Sequence, residues 1–180
     1  MSGTDVPWGD LVREATSWRT RLAHVSSSWP LTIPRIGADD AAIAAAQARI
    51  GFELDAQHEA LLREINGWPD AFLEGTVLGT DEIGAGELWE RAWVHLDTAS
   101  DYFDELPPLE ELVPICVSDV VLDTSAVWMN GPVTDGGFPV IRMTSTDSDE
   151  FENVHAWWRE CVQTTRDLVA LDVEKNGITE

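Results

Sequence analysis

Apolar residues recur at helical spacing near both ends of the chain and run nearly unbroken, or alternate, in the middle. Leu11, Ala15, Trp18, Leu22 and Val25 form a narrow stripe along one helix face. Thr4 or Asp5 can cap that helix, and Pro7 suits its first turn. Isolated amphipathic helices are marginal, so the stripe is expected to pack on its own domain rather than to make a dimer. A connector of turn formers follows, Ser26-Ser27-Ser28-Trp29-Pro30 and then Ile33-Pro34. Asp39 or Asp40 caps an alanine-rich helix over Ala41 to Ile50, with Ile43, Gln47 and Ile50 on one side. Leu54 to Ile65 reads as the next helix, with Asp55 as its cap and Leu61, Leu62 and Ile65 on a shared face. Asn66-Gly67-Trp68-Pro69 stops it: Gly67 can turn left-handed, and Pro69 forbids continuation.

The middle favours strands. Thr76 to Ile83 reads as one, broken by Gly84-Ala85-Gly86. Glu87 to Leu96 fits mixed strand and loop better than helix, and Asp97 to Leu109 reads as an acidic loop. Leu112-Val113-Pro114-Ile115-Cys116-Val117 suits a central strand. Ala126 to Met129 and Phe138 to Met143 form an antiparallel pair around an extended loop. Asp147 to Asp149 caps a long closing helix, ended by Asn176-Gly177. That helix carries Phe151, Val154, Trp158, Cys161, Val162, Thr165, Leu168 and Val169 on one broad face. Helices first, strands next and a helix last predict an α+β fold: a central antiparallel sheet flanked by N-terminal helices and a long C-terminal helix. The length of 180 residues fits an N-terminal helix and connector over 1–35 and one α+β domain over 36–180.

The order helix, short step, helix ending in Asn-Gly, then strand resembles the opening of the SUKH superfamily. Here Ala41 to Ile50, Gly51-Phe52-Glu53-Leu54, the helix ending at Asn66-Gly67 and the strand from Thr76 supply those parts. Asp55 stands where the family often has Pro, and either residue can begin a helix. The superfamily includes fungal cell-wall assembly regulators and bacterial immunity proteins that neutralise polymorphic toxins. The resemblance spans roughly residues 36–172. It implies an α+β domain without a catalytic centre that works by binding another protein.

Charge sharpens that expectation. The formal net charge is −22, from 33 acids against 11 bases. Nucleic acid and anionic membranes are disfavoured as partners, whereas a basic protein would be attracted and steered. No apolar run is long enough for a membrane helix, and Met1-Ser2-Gly3-Thr4-Asp5 carries no export signal, so a cytoplasmic protein is expected. Cys116 and Cys161 read as buried, reduced thiols, with a single bridge between them left open.

Catalytic and metal motifs are missing from the pattern. His24, His58, His95 and His155 show no metal spacing; His95 and Asp97 could share one strand face but lack further ligands. Gly84-Ala85-Gly86 precedes Glu87 rather than a phosphate-binding Lys-Ser/Thr pair, and Asp147-Ser148-Asp149 lacks the rest of a calcium loop. No cofactor, metal or catalytic residue is expected. Nine tryptophans are many for this length. Trp68 and Trp128 read as core. The neighbours Trp157 and Trp158 lie about 100° apart on a helix, so one is expected inside and one at the margin.

Trp89 and Trp93, by contrast, sit among acids and suit an interface. The expected contact surface therefore comprises Trp89, Trp93, Asp81, Glu82, Asp97, Asp101, Asp104, Glu105, Glu110 and Glu111. Its expected partner is a cationic toxin domain, held by occlusion. The alternative is a regulatory adaptor docking through the N-terminal helix.

Overall fold

The structure is a computed structural model that describes residues 6–103 and 106–176. Along the chain run α1 (Trp8–Val25), α2 (Asp40–Ile50), α3 (Ala56–Glu64), β1 (Trp68–Phe72), β2 (Gly75–Val77), α4 (Gly86–Ser100), β3 (Leu112–Ser118), β4 (Asp123–Trp128), β5 (Val140–Thr144), β6 (Ser148–Phe151) and α5 (Val154–Asn176). The strands form one antiparallel sheet in chain order, so the fold is α+β, with helices before the sheet and a long one after it. Among the described residues no helix is long and apolar enough to cross a membrane.

Adjacent residues of one strand point to opposite faces, and β4 shows what covers each. The His95 ring of α4 meets Thr124 Oγ1 at 2.8 Å, while the Trp157 indole of α5 donates to Ser125 Oγ at 3.0 Å. Helix α4 therefore lies on one face and α5 on the other. Beneath α4, Leu96 and Ala99 pack with Leu112, Ala126, Ile141 and Met143. The larger core holds α1, α3 and α5 against the rest of the sheet.

Helix α1 packs along α5, burying Leu11, Ala15 and Leu22 of its stripe, and Trp158 Nε1 donates to the Leu11 carbonyl at 3.3 Å. Its stripe is thus used within the molecule. Trp157 and Trp158 are both fully buried, against the expectation of one at the margin. The reason is that α5 is covered on two sides, by the sheet at Trp157 and by α1 at Trp158.

Several boundaries match their signals. Asp39 Oδ1 accepts from Ala42 N–H, and Asp55 Oδ1 accepts from Gln57 and His58 N–H. Asp55 Oδ2 also takes Phe138 N–H at 2.8 Å, tying α3 to the loop before β5. Gly67 is left-handed, at φ 87°, but as the entry to β1 rather than as a helix cap. A Cβ there would sit 2.7 Å from Gly79 N, and Asn66 Oδ1 accepts Thr80 N–H at 2.6 Å, so the pair seats the loop after β2.

Other elements differ from expectation. Trp68–Phe72 is a strand, because Pro69 lies at the sheet edge, where a missing N–H disturbs little. The strand predicted over 76–83 ends at Val77. Gly86–Ser100 is a helix, so the mixed strand and loop of 87–96 and the first part of the acidic loop are corrected. Leu88, Ala92, Leu96 and Ala99 form its inner stripe. Trp89, Trp93 and Val94 spread apolar character around it and blur the period. The Asp147–Asp149 segment enters β6 instead of capping α5; Asn153 Oδ1 caps α5 by accepting Ala156 N–H at 3.0 Å. The capping roles expected of Thr4, Asp5 and Gly177 lie outside the described residues.

Candidate functional site

Helix α4 carries the most pointed surface chemistry. Trp89 and Trp93 are one turn apart, both half-buried, with ring centroids 6.1 Å apart in an edge-on arrangement. They line a cleft of about 250 Å³ together with Ile50, Phe52, Glu110 and Leu112. Gly84 makes the cleft possible: a Cβ there would fall 2.9 Å from Ile50 Cγ2. Arg49, at the end of α2, closes one side and donates to the carbonyls of Thr80 and Ile83. Its charge is thereby spent on holding the loop after β2.

The structure separates the expected contact residues into three groups. Trp89, Trp93 and Glu110 meet in the cleft. Asp97 and Asp101 are exposed toward the C-terminal end of α4, and Asp81 is exposed on the loop after β2. Glu82 and Glu111 are committed internally. Glu82 Oε2 accepts Gly79 N–H at 2.6 Å, and its carboxylate pairs with Arg35, at 2.6 Å on Oε1. Glu111 Oε2 accepts the Trp128 indole N–H at 2.8 Å; hydrogen bonds from Asn130 and Trp128 hold its carboxyl below the usual range. Asp104 and Glu105 lie outside the described residues. Phe52 lines the cleft although it stands outside the expected contact surface. An aromatic beside Gly51, in a step between two helices, was its one sequence signal, and it remains 41% exposed.

Helix electrostatics add to the picture. The C-terminal end of a helix carries partial negative charge, which favours bases. The last turn of α4 holds no base, while Asp97 and Asp101 stand at that end. Arg91 is bonded to Glu87 at 2.9 Å and to the Asp119 carbonyl at 2.7 Å.

Reactive groups elsewhere are muted. Cys116 and Cys161 are free and buried; burial pushes the Cys161 thiol up to about 12 and Cys116 well above its ordinary value. Such thiols are poor nucleophiles. Burial also pushes His58 down to about 4, and neither of its ring nitrogens has a hydrogen-bond partner. His95 and Asp97, expected on a shared strand face, lie on a helix about 200° apart. Among the described residues no group of three or more His, Cys, Asp or Glu side chains is placed to hold a metal. No protein-family model matches the chain, and no curated protein matches it.

Proposed function

We propose that this chain is a non-catalytic protein-binding domain of the SUKH type. It acts in the cytoplasm as an immunity protein that occludes a basic toxin domain. The observation that carries this reading is the Trp89–Trp93 cleft, which also holds Glu110 and whose one arginine, Arg49, is bonded to the Thr80 and Ile83 carbonyls. Half-buried aromatics anchor protein interfaces, and a surrounding field of one sign steers an oppositely charged partner. Asp97 and Asp101 at a helix C-terminus are electrostatically misplaced in the free protein, and a cationic surface relieves that cost. Packing of α1 along α5, which buries Leu11, Ala15 and Leu22 of the stripe that the adaptor alternative would dock through, favours the immunity reading over it.

The test co-expresses this chain with basic toxin domains, beginning with any that the neighbouring gene encodes. Growth is expected to be rescued by the unaltered chain and lost with Trp89→Ala/Trp93→Ala at unchanged expression and folding. The association rate of the purified pair should fall more than about tenfold between low and high salt. Rescue that survives the double substitution removes the cleft from the interface; a salt-insensitive rate removes the electrostatic mechanism.

A further inference from the structure

Strand β6 ends the sheet, and among the described residues no strand pairs with its outer side. The hairpin before it determines which backbone groups face outward. Thr144 N–H donates to the Asp147 carbonyl at 2.8 Å. Bonded and non-bonded pairs alternate along an antiparallel ladder. Arg142 and Asp149 are therefore a bonded pair, while Met143 with Ser148, and Ile141 with Glu150, are not. The N–H and C=O groups of Ser148 and Glu150 consequently aim away from β5.

The surroundings give this edge a chemistry. Ile141 packs beneath α4, so its cross-strand neighbour Glu150, and Ser148 with it, share the α4 side of the sheet. Beside them lies a groove of about 540 Å³ whose far wall is apolar, Trp128, Ile141 and Leu106, and whose near rim is β6 itself, Ser148 to Glu150. The Trp128 indole is held in place by Glu111. Asp147 and Asp149 belong to the opposite side of the strand, and Arg142, across from Asp149, is bonded bidentately to Asp123. The span 147–152 holds four acids and no base.

We propose that β6 accepts an extended basic segment of a partner protein as a seventh, antiparallel strand. Outward backbone groups at Ser148 and Glu150 supply main-chain hydrogen bonds, the groove takes apolar side chains at alternate positions, and Asp147 and Asp149 meet basic side chains at the others. A second copy of this chain fits poorly, because the same acids would then face one another. Charged edges commonly serve to prevent self-pairing; here they also select the sign of a foreign strand. The proposal rests on reading the chain as a protein-binding domain, but not on the cleft at Trp89 and Trp93.

The experiment titrates the full chain with a labelled, end-blocked octapeptide of alternating Arg and Val, read by fluorescence anisotropy and by amide hydrogen exchange. Residues directly opposite each other share a face, so the valines lie opposite Ser148 and Glu150 and make the bonds. N-methylation of the Val amides is expected to weaken binding more than about tenfold, and N-methylation of the Arg amides less than about threefold. Protection should appear at the Ser148 and Glu150 amides. Ser148→Pro should match the Val-methylated loss. Equal loss from both methylated peptides, or no protection at the two amides, means attraction by charge alone and overturns the proposal. A dimer in solution that Ser148→Pro converts to a monomer overturns it in favour of self-pairing. Loss of toxin rescue with peptide binding intact, or the reverse, separates failure of the function from failure of the edge.

Discussion

At one edge of the sheet, the carbonyl of Asp70 in β1 accepts hydrogen bonds from the buried Arg19 guanidinium at 3.1 Å and from Thr32 at 3.2 Å. Arg35 N–H of the same connector donates to the Gly67 carbonyl at 3.0 Å. Pro69 and the positive φ of Asp70, 47°, interrupt the strand further. At the other edge, β6 is regular through four paired residues, and its outward groups at Ser148 and Glu150 meet nothing among the described residues. The two edges solve the problem of unpaired backbone differently: one is clad and bent, the other is left straight and charged. Cladding makes an edge part of the core, so it can no longer recruit a strand. The straight acidic edge keeps that capacity and restricts it by charge.

Removing the cladding is expected to have the largest effect. Arg19 is 1% exposed and also donates to the Pro30 carbonyl at 2.8 Å. Arg19→Ala leaves a cavity and strips Pro30 of its donor, at a cost of about 4 kcal/mol in urea unfolding. Arg19→Met keeps much of the volume and should cost about 2 kcal/mol, isolating the hydrogen bonds. A loss under about 0.5 kcal/mol for Arg19→Ala would mean that the edge is not held by this side chain.

Acid should loosen the clad half next. His58 lies in α3, the helix that leads into β1, and its folded pKa of about 4 stands below the ordinary 6.5. The unfolded chain therefore takes up a proton that the folded protein refuses. Stability is full above pH 6.5 and falls toward pH 4, by about 3 kcal/mol in all. His95 and His155, both pushed down by burial, add in the same direction. Urea midpoints measured across that window check the slope, and His58→Leu should flatten it. An unchanged slope in the variant assigns the acid sensitivity to other groups.

Legibility in the sequence follows from how local each signal is. Asp39, Asp55 and the run through Leu112–Val117 act within a few residues, and each stands where its signal points. Strand β6 is Ser-Asp-Glu-Phe, with no apolar alternation, because its outer side is solvated; only pairing with β5 makes it a strand. Trp157 and Trp158 are both interior because two distant elements, Ser125 and Leu11, come to them. The cleft shows the same division. Trp89 and Trp93 were visible as aromatics among acids, whereas Ile50 and Phe52 join them only through the packing of α2 against the Gly84 loop. Glu82 and Glu111 read as surface acids, and their internal use depends on Arg35 and Trp128, remote in sequence.

The finest test of the comparison contrasts two prolines one residue apart on β6. Asp149 N–H lies on the β5 side of the ladder, so Asp149→Pro removes a sheet hydrogen bond and is expected to cost about 2–3 kcal/mol. Ser148 N–H points outward, so Ser148→Pro should change stability by less than about 0.5 kcal/mol. Urea unfolding of the two variants measures the difference directly. Equal costs would show that the alternation is misassigned, and with it which groups the open edge offers. A large gap, with Ser148→Pro neutral, leaves a folded protein whose only change is the missing outward donor. Any binding that this variant loses then belongs to the edge itself rather than to the stability of the fold.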